Sequence, residues 1–300
     1  MKSTQLIQCV PNFSEGRDLS KIEKIVSAFR AKEGLKLLNY SNDTDHNRTV
    51  VTIIGEPESI KKAILEATTI AISLIDLNIH EGQHPRMGAV DVIPFIPIRN
   101  ITMEEVIEFS KDVGQTIGSQ LALPVYLYEK SATATHRENL ASIRKGGFEG
   151  MSNKMKAEEW KPDFGPAEIH TSAGVVAIGA RMPLVAYNIN LNTNNLEITS
   201  QISRNIRHAN GGLRFVKAMG VELIERNITQ VSINMTDYTR TALYRVFELV
   251  RIEAARYGVS IIGSEIIGLV PMEALLDAAS YYLKLEDFSI EQVLESSLME

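Results

Sequence analysis

"HEGQHPRMGAVDVIPFIP", residues 80–97, can be read in two ways, and the choice decides the fold. Read as a helix, its first five residues spell H-E-x-x-H, in which two histidines one turn apart hold zinc. Read as a turn running into a strand, it puts a histidine at the entrance to a buried β-strand. Pro85 disfavours helical geometry at His84 and pushes it toward an extended conformation. Gly82 weakens a helix further. His80 and His84 are therefore expected to straddle a helix end without sharing a face. Glu104, at a conceivable distance for a third ligand, falls in a separate predicted helix, and the downstream G-x-x-H of one protease class is absent. The stretch reads as turn and strand, with no metal site.

The strand "AVDVIPFIP" is interrupted by Pro94 and Pro97, which predicts a position partly at a sheet edge. Upstream, "LIQCV" reads as a strand ended by Pro11. "DLSKIEKIVSAFRA" has apolar residues at helical spacing, with Asp18 or Ser20 as cap. "LKLLNY" and "RTVVTIIG" read as strands, and "EPESIKKAILEATTIAISLIDL" as a long helix with Pro57 in its first turn. Downstream come a helix capped by Thr102 and the strand "PVYLY". A polar, Gly- and Pro-containing connector over 129–174 is too long to be idle. A second half is expected to open with "GVVAIGAR" and "PLVAYNINL" and to repeat the β-α-β-β-α-β order. The fold class expected is α/β: two related subdomains with mixed sheets facing each other across a cleft, residues 1–180 and 181–300.

Composition bounds the function. The chain has 300 residues, 44% hydrophobic and 23% charged, which suits a soluble globular protein. A formal charge of −6 supplies no basic excess for nucleic acid. No apolar stretch is long enough to span a bilayer, and the N-terminus lacks a leader pattern. With Cys9 the single cysteine, no intramolecular disulfide can form. A cytoplasmic location is expected. Cys9 reads as a small buried apolar group.

His84 sits where functional groups often lie, on a loop entering a buried strand. It also reads as a helix-exit histidine capping carbonyls. Other segments carry more polar detail than a fold requires: "CVPNFSEGR" after the first strand, "SNDTDHNRTV" in the turn before "RTVVTIIG", "PDFGP" in the connector, then "GARMPLVAYNINL" and "SEIIGLVP". In this order, with "HPRMGAVDVIPFIP", they resemble the glutamate formimidoyltransferase (formiminotransferase domain) family, from Leu6 to about Lys284. The resemblance implies two α/β subdomains around a folate tunnel, usually in a homodimer. It implies transfer of a formimino group between N-formimino-L-glutamate and N5 of tetrahydrofolate, in histidine degradation and one-carbon metabolism. Two-domain members of the family carry a cyclodeaminase, expected here only as a separate partner. An enzyme acting on 5-formyltetrahydrofolate, or a non-catalytic folate-binding protein, would share most of these residues.

The resemblance assigns the catalytic acid/base to His84, and a side chain titrating near neutrality suits a proton moved from one nitrogen to another. It assigns folate contact to the segment Gly165, Pro166, Ala167, Glu168, Ile169, His170, Thr171, Ser172, Ala173 and Gly174. Its glycines would let backbone approach a flat pterin, and His170 is a candidate for polarising the ligand. Arg48, Arg86 and Arg181 are candidates for substrate carboxylates, with intramolecular ion pairs as the other reading. Asn12 and Glu15 are candidates for orienting His84 or binding pterin, though Asn12 also suits a turn after Pro11. Asp43 and Asp45 are candidates for holding the histidine tautomer. Asn188 and Asn190 share a strand face and either line the tunnel or pair backbone at a sheet edge.

Overall fold

The computed structural model describes residues 4–83 and 85–298, and the chain divides into two compact units between Arg181 and Met182. The first unit runs β1 (Leu6–Cys9), β2 (Asn12–Phe13), α1 (Leu19–Ser27), β3 (Leu35–Asp43), β4 (Arg48–Gly55), α2 (Pro57–Leu74), β5 (Val90–Arg99), α3 (Met103–Gln120), β6 (Val125–Leu127), α4 (Leu140–Arg144), α5 (Gly147–Lys154) and β7 (Val176–Ala180). Local chemistry fixes the helix starts. Asp18 accepts from the amides of Ser20 and Lys21, Pro57 opens α2, and Thr102 and Glu105 form a reciprocal capping box on α3.

These strands build one seven-stranded sheet. β3, β4, the interrupted pair β1/β2 and β5 are antiparallel neighbours, and β7 and then β6 continue from β5 in parallel. The prolines of β5 did not put it at the edge: it pairs on both sides and is buried along most of its length. A register slip between Leu6 and Ile7, opposite Pro97, absorbs one missing N–H, and the carbonyl of Pro94 accepts from Val10. "GVVAIGAR" also differs from expectation. As β7 it belongs to the first unit, and Arg181 donates its backbone N–H to Phe95 of β5, so Arg181 closes this unit and does not open the second.

Both faces of this sheet are covered. α1, α2 and α3 pack a core with Ile22, Ile64, Ile93, Phe95 and Ile117. The connector supplies the other cover, with Ile143, Met151 and Met155 joining Met87, Val92 and Tyr126 in a second buried cluster. Trp160 ties it to β6, because its carbonyl accepts from the Tyr126 hydroxyl.

The second unit runs β8 (Val185–Leu191), α6 (Leu196–Ile206), β9 (Val216–Leu223), β10 (Ile228–Met235), α7 (Leu243–Ala255), β11 (Ile261–Ile267), α8 (Met272–Leu283) and the short α9 (Leu294–Leu298). The β-α-β-β-α-β order is as expected, but its four strands, ordered β11-β8-β10-β9, are all antiparallel rather than mixed. Val185, Tyr187, Ile189 and Leu191 alternate inward and pack with Ile202, Val246 and Val250 of the helices. Among the described residues no helix is long and apolar enough to cross a membrane.

Candidate active site

His84 lies outside the described residues, but the turn on either side of it is described. Helix α2 ends at Leu74, and residues 80–83 are not helical. His80 is held by two neighbours. Its Nε2 lies 3.0 Å from the carbonyl of Asn47, which can only accept, and its Nδ1 takes a bond of 3.2 Å from Arg86 Nε, which can only donate. The ring is therefore neutral, with its proton on Nε2. Burial, the first cause, lowers its pKa, with the Arg86 charge acting in the same direction. The sequence had left His80 without a role; here it holds two segments together. Among the described residues no group of three or more His, Cys, Asp or Glu is placed to hold a metal.

Asn47 is the other half of this joint. It is buried in a left-handed turn, accepts from the amide of Gly16 and donates to the carbonyl of Glu81. The "SNDTDHN" and "HEGQ" turns and the segment after β2 are thus laced together, and Gln83 adds a backbone bond to Asp45. Asp43 is spent locally. It accepts from the amides of Asp45 and His46 and lies 2.9 Å from the His46 ring. Glu15 orders the turn before α1 by accepting from the amides of Arg17 and Asp18. Asn12 donates to Val10, the turn role.

On the far side of His84, Arg86 is committed to the protein. It makes a double ion pair with Glu149 at 2.8 and 3.0 Å and donates to the His80 carbonyl. Asp91, inside β5 and 1% exposed, accepts from the amide of Met87 and meets Arg144 at 2.5 Å. Arg48 is partly buried beside this pair, and burial and then the Arg144 charge lower its pKa. Asp91, Arg144, Glu149 and Asn47 were missed in the sequence. The one available signal was Asp91, an acid inside an apolar strand, where a carboxylate needs a partner.

The 165–174 segment reaches the same place. His170 and Gly174 bond each other's backbone, Val175 donates to Met87, and Ala89 donates to Ala173. Gly174 has φ +71, and a Cβ there would lie 2.1 Å from the Met87 carbonyl oxygen. Gly165 has φ +83, and its Cβ would lie 2.5 Å from the Leu123 carbonyl. Protein packing alone therefore requires a glycine at both positions. His170 accepts at Nδ1 from the amides of Ala173 and Ser172, which leaves its proton on Nε2. Pro166, Ala167, Glu168 and Thr171 are exposed, while Ile169 and Ser172 are half-buried. The segment's start is fixed by Asp163, which accepts from Leu127, Thr133 and Arg137.

In the second unit, Asn188 and Asn190 lie on β8, a central strand, which removes the sheet-edge reading. Asn190 is buried and accepts from Gln230, which also donates to Glu265. Asn188 faces Ser232 and Glu265 across the strands. Arg181 acts on Tyr128, a buried phenol whose pKa burial pushes up to about 12 and the Arg181 charge moderates.

The site thus gathers the residues on either side of His84, the 165–174 loop, two half-buried arginines, Arg48 and Arg144, and a buried carboxylate in one unit. Residues 6–181 match the formiminotransferase domain, N-terminal subdomain, and residues 186–299 match the formiminotransferase domain. The chain is 49% identical over 296 residues to a glutamate formimidoyltransferase of Streptococcus pyogenes serotype M1, covering 98% of this chain and 99% of that one. It is 44% identical to a glutamate formimidoyltransferase of Thermoplasma acidophilum, covering 98% and 97%. It is also 44% identical to a formimidoyltransferase-cyclodeaminase of Dictyostelium discoideum, covering 98% of this chain and 56% of that one.

Proposed function

The chain belongs to the formiminotransferase family, and from that premise we propose that it moves the formimino group between N-formimino-L-glutamate and N5 of tetrahydrofolate. It is a transferase of one-carbon groups, and the observation that carries the reading is the match to a glutamate formimidoyltransferase along nearly the whole of both chains. N5 attacks the formimino carbon, giving a tetrahedral centre. The bond from that carbon to the glutamate nitrogen then breaks. N5 loses a proton and the departing nitrogen gains one, and His84 is the group assigned to carry it. The docking of the 170–174 turn onto Met87 and Ala89 supports a folate bound beside that histidine. His170, with its proton fixed on Nε2, is suited to donate to it.

In this reading the two matched segments, split near residue 180, are the subdomains of one enzyme. It works in the cytoplasm as a homodimer in histidine degradation. A cyclodeaminase is the partner that consumes its product, since the Dictyostelium relative is named for both activities.

The test is to incubate the purified protein with tetrahydrofolate and N-formimino-L-glutamate and to follow glutamate release. Turnover is expected, with a loss of about 10²- to 10⁴-fold for His84→Ala and folate affinity largely kept. Absence of turnover with the natural chain would overturn the reading.

A further inference from the structure

The connector carries two adjoining hollows that share Ser142, Lys145 and Gly146. One, about 450 Å³, is also bounded by Pro85, Arg144 and Gly147. The other, about 590 Å³, is also bounded by His136, Lys154 and Trp160. Among the described residues no acidic side chain lines either. Pro85, on the border of the first hollow, directly follows the proposed acid/base in the chain.

We propose that Arg144 and Lys145 form a carboxylate subsite in this hollow, a reading that rests on the formimino transfer proposed above. The guanidinium of Arg144 is set in place from behind. Asp91 is buried, takes Arg144 Nη2 at 2.5 Å on one oxygen and uses the other to hold Met87 N–H. This ion pair with a buried carboxylate, itself held by the Met87 N–H, places the guanidinium before any ligand arrives, and a planar fork suits a second carboxylate. Arg144 Nε is buried with no hydrogen-bond partner among the described residues, a donor left over by the protein's own contacts. Lys145 follows in sequence, is exposed, and its charge is felt at Lys154, whose pKa burial, the larger cause, and that charge together lower to about 8. The local field is therefore positive in a chain that is acidic as a whole.

Carboxylate is the anion both proposed substrates carry, and the source is either N-formimino-L-glutamate or the glutamate tail of the folate. The experiment compares natural chain, Arg144→Lys and Lys145→Ala. Arg144→Lys keeps a cation against Asp91, so the fold survives while the fork is lost. The expected rise in KM is about two- to fivefold for Lys145→Ala, as for an exposed ion pair, and about tenfold for Arg144→Lys. The substrate whose KM rises is the source. The handicap disappears when that substrate lacks the carboxylate held there: N-formimino-L-glutamine removes the γ-carboxylate, N-formimino-L-isoglutamine the α-carboxylate, and tetrahydropteroate the folate tail.

Trp160, the single tryptophan, gives a readout independent of turnover. Titration with glutarate is expected to change its fluorescence in the natural chain, and less in both variants. Both KM values unchanged in both variants, a handicap that persists without the carboxylate, or a fluorescence blind to glutarate would each overturn the subsite. If the natural chain shows no turnover, the transferase reading fails, and the glutarate titration still decides the subsite.

Discussion

Gly174→Ala tests the joint between the 165–174 loop and the His84 turn. The residue has φ +71, which costs an alanine about 1 kcal/mol. The added Cβ would also lie 2.1 Å from the backbone oxygen of Met87, so the loop must back away. Doing so breaks the bonds that meet there, Val175 to Met87 at 3.0 Å and Ala89 to Ala173 at 2.9 Å. Each contributes about 1 kcal/mol, for a total near 3 kcal/mol and a fall in Tm of roughly 6–12 °C at this chain size. Gly146→Ala is the control within the same unit: φ is +97, but the nearest atom is 3.5 Å away. It should lose only the conformational part, about 1 kcal/mol. Urea unfolding followed by circular dichroism measures both. If the two variants cost the same within about 0.5 kcal/mol, beyond the scatter of independent sites, the close approach of Gly174 to Met87 is not what holds this loop.

Three further outcomes follow from other parts of the first unit. His80 is neutral in the fold with a lowered pKa, so the unfolded chain takes its proton first. Stability is full above pH ~6.5 and falls as pH drops below that value; His80→Gln, which can keep both hydrogen bonds without titrating, should flatten this part of the curve. Asp163→Ala strands the buried guanidinium of Arg137, to which Asp163 bonds at 3.0 Å, and should cost about 3–5 kcal/mol in denaturant unfolding; a cost below 1 kcal/mol would show that the Glu159 and Lys161 carbonyls suffice. Cys9 is fully buried, and burial pushes its thiol pKa well up, so a thiol reagent should modify it only as fast as the chain opens, and rapid labelling of native protein would contradict its place in the core.

The sequence by itself determined what depends on near neighbours. Helix starts at Asp18, Pro57 and Thr102 were readable because a cap and its amides lie within one turn. Strand faces were readable from alternation, and the α/β class from the order of elements. The non-helical geometry around His84 followed from Pro85. The resemblance of six ordered segments carried the family.

The tertiary structure alone decided which distant segments meet. Asp91 and Arg144, His80 and Asn47, and Gly174 and Met87 are each far apart in the chain, and nothing local to either partner names the other. The same holds for the prolines of β5. Taken alone they argue for an edge, yet a register slip opposite Pro97 and pairing on both sides make this a central strand. It also decided that Arg86 is spent on Glu149 while Arg144 borders a cavity. An arginine's use is set by which carboxylate reaches it first. That is a property of the packed sheet and its connector, not of the residues beside it in sequence.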